Sequence, residues 1–272
     1  MNISTTKKEL QAAFSKLTKT TQVKSQNPLV NYTYISSGAH GVTLHSTDME
    51  VGIKTQITAS VNTNGEGLFP TSEVNDIISV IDEGRVDIDI AGPHINIKSE
   101  KGISFDIPTV PFQEYPEIPE NKHEALFTIE TDKLKKIINS LLYAINAEPT
   151  KPALNGAYFN FAQDKIDFVA TDGHRLVKIT RQNETNIGQG YIIPKKYLNI
   201  LNTFLEGQKE TSLIFSEDYV FSNNGKDVFY SKIIDEKFPN YNAVIPESNP
   251  EKLTAQKTEM LNNIKAASIA TN

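Results

Sequence analysis

Apolar residues recur along the chain at two periods. Leu10, Ala13, Phe14 and Leu17 fall on one face at helical spacing, as do Leu134, Ile137, Ile138 and Leu141. Two further helices are predicted after Pro70 and Pro194, where proline suits a first turn. Val74, Ile77, Ile78 and Ile81 line the first of these, and Tyr197, Leu198, Leu201 and Leu205 the second. Between the helices the pattern alternates, which reads as strands at 32–35, 42–45, 86–90, 95–98, 103–107, 157–161, 166–170, 176–179, 213–215 and 228–233. Asp172-Gly173 reads as a two-residue hairpin connection between 166–170 and 176–179.

These elements repeat. At an offset of 124 residues, Leu10 and Leu17 fall on Leu134 and Leu141, Pro28 on Pro152, Thr47-Asp48 on Thr171-Asp172, and Phe69-Pro70 on Ile193-Pro194. Late in the unit the offset slips, so that Tyr115 matches Tyr241. Each copy opens on a helix and holds two helices and about eight short strands, a repeated α+β domain. The domains expected are 1–122, 123–250 and the beginning of a third at 251–272, where Glu259–Ile264 repeats the pattern of Asp132–Ile137. About 100 more residues would complete that third copy by the length of the other two. A lone third helix has no sheet of its own to cover its apolar face, which predicts fraying or opportunistic docking. The Pro-rich stretches 108–119 and 239–250 read as semi-rigid spacers between copies.

Composition narrows the chemistry. With no Cys in 272 residues, disulfides, thiolate metal sites and cysteine nucleophiles are excluded. No signal core and no membrane-length apolar run is present, so a soluble, cytoplasmic protein with no membrane partner is expected. The net charge of −6 is unevenly placed. Residues 7–24 carry +4, 131–151 carry +2, 194–209 carry +2 and 71–85 carry −3, so the helices are mostly basic while the sheets and linkers are acidic. Helices that shared one surface would offer phosphates a stripe of lysine, with Lys7, Lys8, Lys135, Lys136, Lys195 and Lys196 as the contacts suggested by charge pattern. The same lysines also fit plain solvated helix faces.

Catalytic signatures are scarce. His40, His45, His94, His123 and His174 form no metal-ligand spacing, and neither a phosphate loop nor a nucleophile elbow occurs, so no catalytic residue, metal or cofactor is expected. The residues alone leave open a nucleotide-processing enzyme using Asp172 and His174, and a repeat scaffold unrelated to DNA.

The run Ala170-Thr171-Asp172-Gly173-His174-Arg175-Leu176 resembles the central signature of the bacterial DNA polymerase III beta subunits, the sliding clamps. Leu154-Asn155-Gly156, Phe238-Pro239-Asn240-Tyr241, Lys24 with Pro28-Leu29, and Ser46-Thr47-Asp48-Met49-Glu50 carry the same resemblance. It implies tandem clamp domains, each with two helices on one face and antiparallel sheets outside, three to a subunit. It also implies a head-to-tail homodimer ring around double-stranded DNA. The function implied is that of a non-catalytic processivity factor, which serves the DNA-directed DNA polymerase activity of its holoenzyme. The partners implied are the polymerase III alpha subunit, the clamp loader and other proteins bearing a clamp-binding motif. The partner-peptide pocket would draw on Leu154, Thr171, Gly173, His174, Arg175, Leu176, Pro239 and Val244. Ala243 stands where some members carry a basic residue. The pocket's other wall comes from the third domain, so this chain is expected to bind such peptides weakly and to form no closed ring. DNA contacts implied by resemblance are Lys24 and Lys151.

Overall fold

A computed structural model describes residues 1–21, 27–38, 41–119, 125–146, 148, 150–205, 207–246 and 248–270. The chain divides into two compact units, Met1–Phe238 and Pro239–Asn272.

Within the first unit the first copy runs β1 (Asn2–Thr6), α1 (Lys7–Thr21), β2 (Tyr32–Gly38), β3 (Gly41–Thr47), β4 (Val51–Ile57), β5 (Ser60–Thr63), β6 (Gly65–Pro70), α2 (Thr71–Val80), β7 (Arg85–Ala91), β8 (His94–Ser99) and β9 (Ser104–Pro108). The second copy runs β10 (Ala125–Glu130), α3 (Thr131–Leu142), β11 (Gly156–Phe161), β12 (Lys165–Thr171), β13 (Leu176–Gln182), β14 (Gly190–Pro194), α4 (Lys195–Phe204), β15 (Glu210–Phe215), β16 (Tyr219–Asn223) and β17 (Asp227–Lys232). The second unit holds a 3-10 turn at Tyr241–Val244 and α5 (Lys257–Ile269), whose described residues are all exposed.

All sixteen apolar positions expected on the four helix faces are buried at 2% exposure or less, apart from Ile77 at 7%. Burial of these stripes against the sheets stabilises helices that would be marginal alone. Neither copy opens on its helix, however. The five-residue strand β1 pairs with β7 and β5, and β10 pairs with β15. Pro70 and Pro194 close their strands and stand just outside the helices as N-caps rather than inside the first turn. The stretch after Pro108 is not a free spacer: Thr109 N–H donates to Pro93 O at 2.8 Å. The buried Tyr115 hydroxyl donates to Tyr32 O and to His45 O at 2.9 and 3.1 Å, which fastens the segment to β2 and β3.

The two copies share a sheet. Its order is β10-β15-β16-β17-β4-β3-β2-β6, so the last strand of copy two adds antiparallel to the edge of copy one, with Phe229 opposite Ile53. Two lysine–aspartate pairs flank this joint in opposite directions. Lys16 of α1 reaches Asp227 at 2.5 Å, and Thr55 Oγ1 donates to the same carboxylate. Lys196 of α4 reaches Asp48. Both carboxylates are buried. Gly52 is required at this crossing, because a Cβ there would lie 2.2 Å from the Tyr230 ring.

The joint places the helices side by side. Lys7 Nζ of α1 donates to Ile81 O at the end of α2 at 2.7 Å. Lys19 Nζ of α1 donates to Thr203 Oγ1 of α4 at 2.7 Å, and Asn202 Nδ2 of α4 donates to Asn139 Oδ1 of α3 at 2.8 Å. The resulting row is α2-α1-α4-α3.

His45 lies at the joint, 1% exposed, with Nε2 2.8 Å from the Tyr230 hydroxyl of copy two. Burial, and then the nearby Lys54 ammonium, lower its pKa from 6.5 to about 3. The unfolded imidazole therefore binds a proton that the folded one refuses, and stability is lost as pH falls below 6.5 toward 3. The slope expected is about 1.4 kcal/mol per pH unit from this group. Urea unfolding from pH 7 to pH 4 checks it: His45→Gln is expected to flatten the decline, and an unchanged slope would contradict the assignment.

Candidate functional site

The run Thr171–Leu176 closes the β12–β13 hairpin. Thr171 pairs with Leu176, so the loop has four residues, 172–175, rather than two. The shape follows from the sequence. Asp172 Oδ1 accepts from the backbone N–H groups of His174 and Arg175 at 2.9 and 3.0 Å. Thr171 Oγ1 donates to Arg175 O at 2.7 Å and accepts from Gly173 N–H at 3.1 Å. Gly173 takes φ 93°, a conformation that favours glycine.

Arg175 is held from two sides. Its Nε donates to Asp172 Oδ2 at 2.7 Å, and its guanidinium stands 4.4 Å from the centre of the Tyr143 ring. The backbone donors of Arg175 and His174, followed by the Arg175 side chain, hold the Asp172 carboxyl well below the usual carboxylate range. The hydrogen bonds to Asp172 and Tyr143 raise Arg175. An aspartate spent on two backbone donors and a guanidinium is a turn-former, and its hydrogen bonds run to the loop rather than to the His174 ring. The same turn recurs in copy one without a histidine. There Asp48 Oδ1 accepts from Glu50 and Val51 N–H at 3.0 and 2.8 Å, Thr47 Oγ1 donates to Val51 O, and Met49 takes the positive φ of 79°.

The hairpin brings Gly173, His174 and Arg175 into one exposed loop, with the half-buried Thr171 closing β12 and the half-buried Leu176 opening β13. Leu154 ends a short 3-10 turn after Pro152 and is 9% exposed. Lys151 lies beside this loop, because a Cβ on Gly173 would fall 3.8 Å from its Nζ. Pro239 and Val244 belong to the second unit, where both are exposed. Tyr143, whose ring stacks under Arg175, is not marked by any motif in the sequence. Its place just past the α3 stripe was the available signal.

The lysines fall into distinct groups. Lys8 and Lys136 are exposed and Lys135 is half-buried. Three of the expected phosphate ligands have structural partners: Lys7 with Ile81 O and Glu83, Lys195 with Ile145 O at 3.1 Å, and Lys196 with Asp48. Lys24 lies outside the described residues, as does the expected 122/123 domain boundary. No helix among the described residues is long and apolar enough to cross a membrane.

The model of the DNA polymerase III beta subunit N-terminal domain matches residues 1–119, and that of the central domain matches residues 128–240. The beta sliding clamp of Treponema pallidum is 26% identical over 231 residues, covering 84% of this chain and 62% of the relative. That of Rickettsia felis is 28% identical over 258 residues, covering 92% and 68%. The chain thus spans about two thirds of the length of these curated relatives. Among solved structures, a putative DNA polymerase III beta subunit from Eubacterium rectale superposes with a TM-score of 0.93 over 99% of this chain and 74% of its own, at 18% identity. A sliding clamp from Bartonella birtlesii, solved bound to griselimycin, gives 0.85 over 92% and 69%, at 26% identity.

Carbonyl-carbon NMR titration tests the turn. The Asp172 carboxyl is expected to titrate well below the ordinary aspartate value of about 3.9. Arg175→Ala keeps both backbone donors and is expected to raise the midpoint only in part. An ordinary midpoint in the unaltered protein would contradict the turn described.

Proposed function

This chain belongs to the DNA polymerase III beta subunit family, and from that premise we propose that it acts as a sliding clamp, a non-catalytic processivity factor that holds a replicative polymerase on duplex DNA. The observation that carries the reading is the contiguous helix row α2-α1-α4-α3, joined across the copies at Lys19–Thr203. Such a row presents a single helical surface to a duplex and leaves the sheets for partners.

Phosphate contact falls to the exposed Lys8 and Lys136, with Lys135 beside them and Lys24 by family resemblance. Lys7, Lys195 and Lys196 contribute positive charge from fixed positions, and Lys151 contributes it beside the hairpin loop. Contacts of this kind read no sequence and weaken with salt, which suits a protein that slides. Enclosure rather than affinity retains the duplex, so a net charge of −6 is no obstacle.

The same edges that join the copies suit a closed head-to-tail ring of two subunits. β17 adds to β4 inside the chain, while the corresponding strands β9 and β13 end their own sheets. Three domains, at 1–122, 123–250 and from 251 onward, are the units of that ring. Partner peptides from the polymerase alpha subunit, the clamp loader and other motif-bearing proteins are assigned to Leu154, Thr171, Gly173, His174, Arg175 and Leu176, with Pro239 and Val244. Leucine and valine supply apolar anchorage, and the fixed Arg175 supplies a polar rim. The setting proposed is the bacterial cytoplasm.

Fluorescence anisotropy of a short labelled duplex tests the DNA surface. Between about 50 and 200 mM salt, Lys8→Ala with Lys136→Ala is expected to reduce the slope of log affinity against log salt by about 2. Association indifferent to both salt and the substitutions would overturn the reading.

A further inference from the structure

A second groove lies in copy one, away from the β12–β13 hairpin. Alternation along β2 and β3 turns Ile35 and Leu44 into the core and Tyr34 and His45 to the opposite face. The segment 112–118 crosses that face and leaves a cavity of about 520 Å³. Its walls are Tyr34, Phe112, Tyr115 and Ile118, and Glu66 and Glu117 line it too. The Tyr34 and Tyr115 rings stack with centres 5.7 Å apart, and Phe112 stands 6.2 Å from Tyr34. His45 also lines the cavity. It is nine-tenths buried or more, and its Nδ1 has no hydrogen-bond partner. A buried polar atom left unpaired is a cost that a packed core normally avoids.

The second copy serves as an internal control. Its sequence keeps the aromatic residues, with Tyr158, Phe238 and Tyr241 at the positions of Tyr34, Phe112 and Tyr115. It does not keep the polar ones. Val169 stands for His45, Gly190 for Glu66 and Ala243 for Glu117. The module therefore folds without a histidine or carboxylates at these positions; in copy one His45 meets Tyr230 at the joint, whereas Glu66 and Glu117 are exposed carboxylates that the packing does not require. Burial, and then the Glu66 carboxylate, push the Tyr34 phenol up to about 12, so it stays a neutral hydrogen-bond donor to Glu66.

We propose that this groove docks an extended peptide of a partner protein, seating an aromatic or leucine side chain against Tyr34, Phe112 and Ile118 and a lysine or arginine beside Glu66 and Glu117. Charge complementarity selects the basic neighbour, and the aromatic walls select the anchor. The site is separate from the partner surface assigned to the second copy and does not depend on it.

Anisotropy with the whole chain tests this. The probe is a fluorescein-labelled hexapeptide of alternating arginine and phenylalanine, compared with one in which glutamate replaces arginine. Saturable binding of the basic peptide is expected, with the acidic one bound at least about tenfold more weakly. Glu66→Gln with Glu117→Gln, both exposed and outside the core, is expected to weaken the basic peptide about tenfold. Tyr34→Ala is expected to weaken it further, while His174→Ala leaves it unchanged. No saturable binding up to about 1 mM, indifference to the Glu66 and Glu117 changes, or loss on His174→Ala would each overturn the proposal.

Discussion

Strand β17 lies along β4, and most of what the first unit can do follows from that pairing. An open sheet edge invites any extended chain, so a specific edge joint needs more than ladder hydrogen bonds. Here the added elements are reciprocal, each seating a half-buried lysine on a buried carboxylate. Lys16 crosses from copy one to Asp227, and Lys196 crosses from copy two to Asp48. A buried carboxylate that loses its cation is left stranded, so these pairs penalise a wrong partner. Tyr230 can approach only because position 52 has no side chain.

The joint is written once in the chain. At the repeat offset, Ser72 stands where copy two has Lys196, and Ser140 where copy one has Lys16. Of the two receiving carboxylates only Asp48 has a counterpart, Asp172, and there Oδ2 accepts from the chain's own Arg175. The turn that reads as a functional signature is thus first a socket geometry: in copy one it receives a lysine of the neighbouring module, and in copy two it is self-occupied and exposed. The same economy governs the helix surface. Lysines that look like a uniform basic stripe divide into those that fasten the architecture and those, such as Lys8 and Lys136, that remain exposed.

Much of this is legible in the sequence where burial follows a simple period. The faces of α1 to α4 are legible because each helix buries one apolar stripe against the strands beneath it. The opening strands β1 and β10 carry only five or six residues each, β1 being mostly Ser and Thr, and their pairing with β7 and β15 is decided by chain segments about 80 residues away. Asp-Gly usually marks a tight hairpin, so the pattern predicts a two-residue loop after Thr171 where the structure has four. The Asp172 side chain instead captures two backbone donors and extends the turn. The lysine partners were out of reach of pattern reading, since Lys196 and Asp48 lie 148 positions apart. The Pro-rich segment after Pro108 likewise gave no sign that Tyr115 would pin it to β2 and β3.

Native-state hydrogen exchange at the β4 and β17 amides tests the account most directly. If the joint makes the two copies one cooperative body, the hydrogen-bonded amides of Val51–Ile57 and Asp227–Lys232 exchange only with global unfolding, at the same free energy as the most protected core amides. Exchange of these amides through a separate, lower-energy opening, with the cores of both copies still protected, would show two independent modules and contradict it.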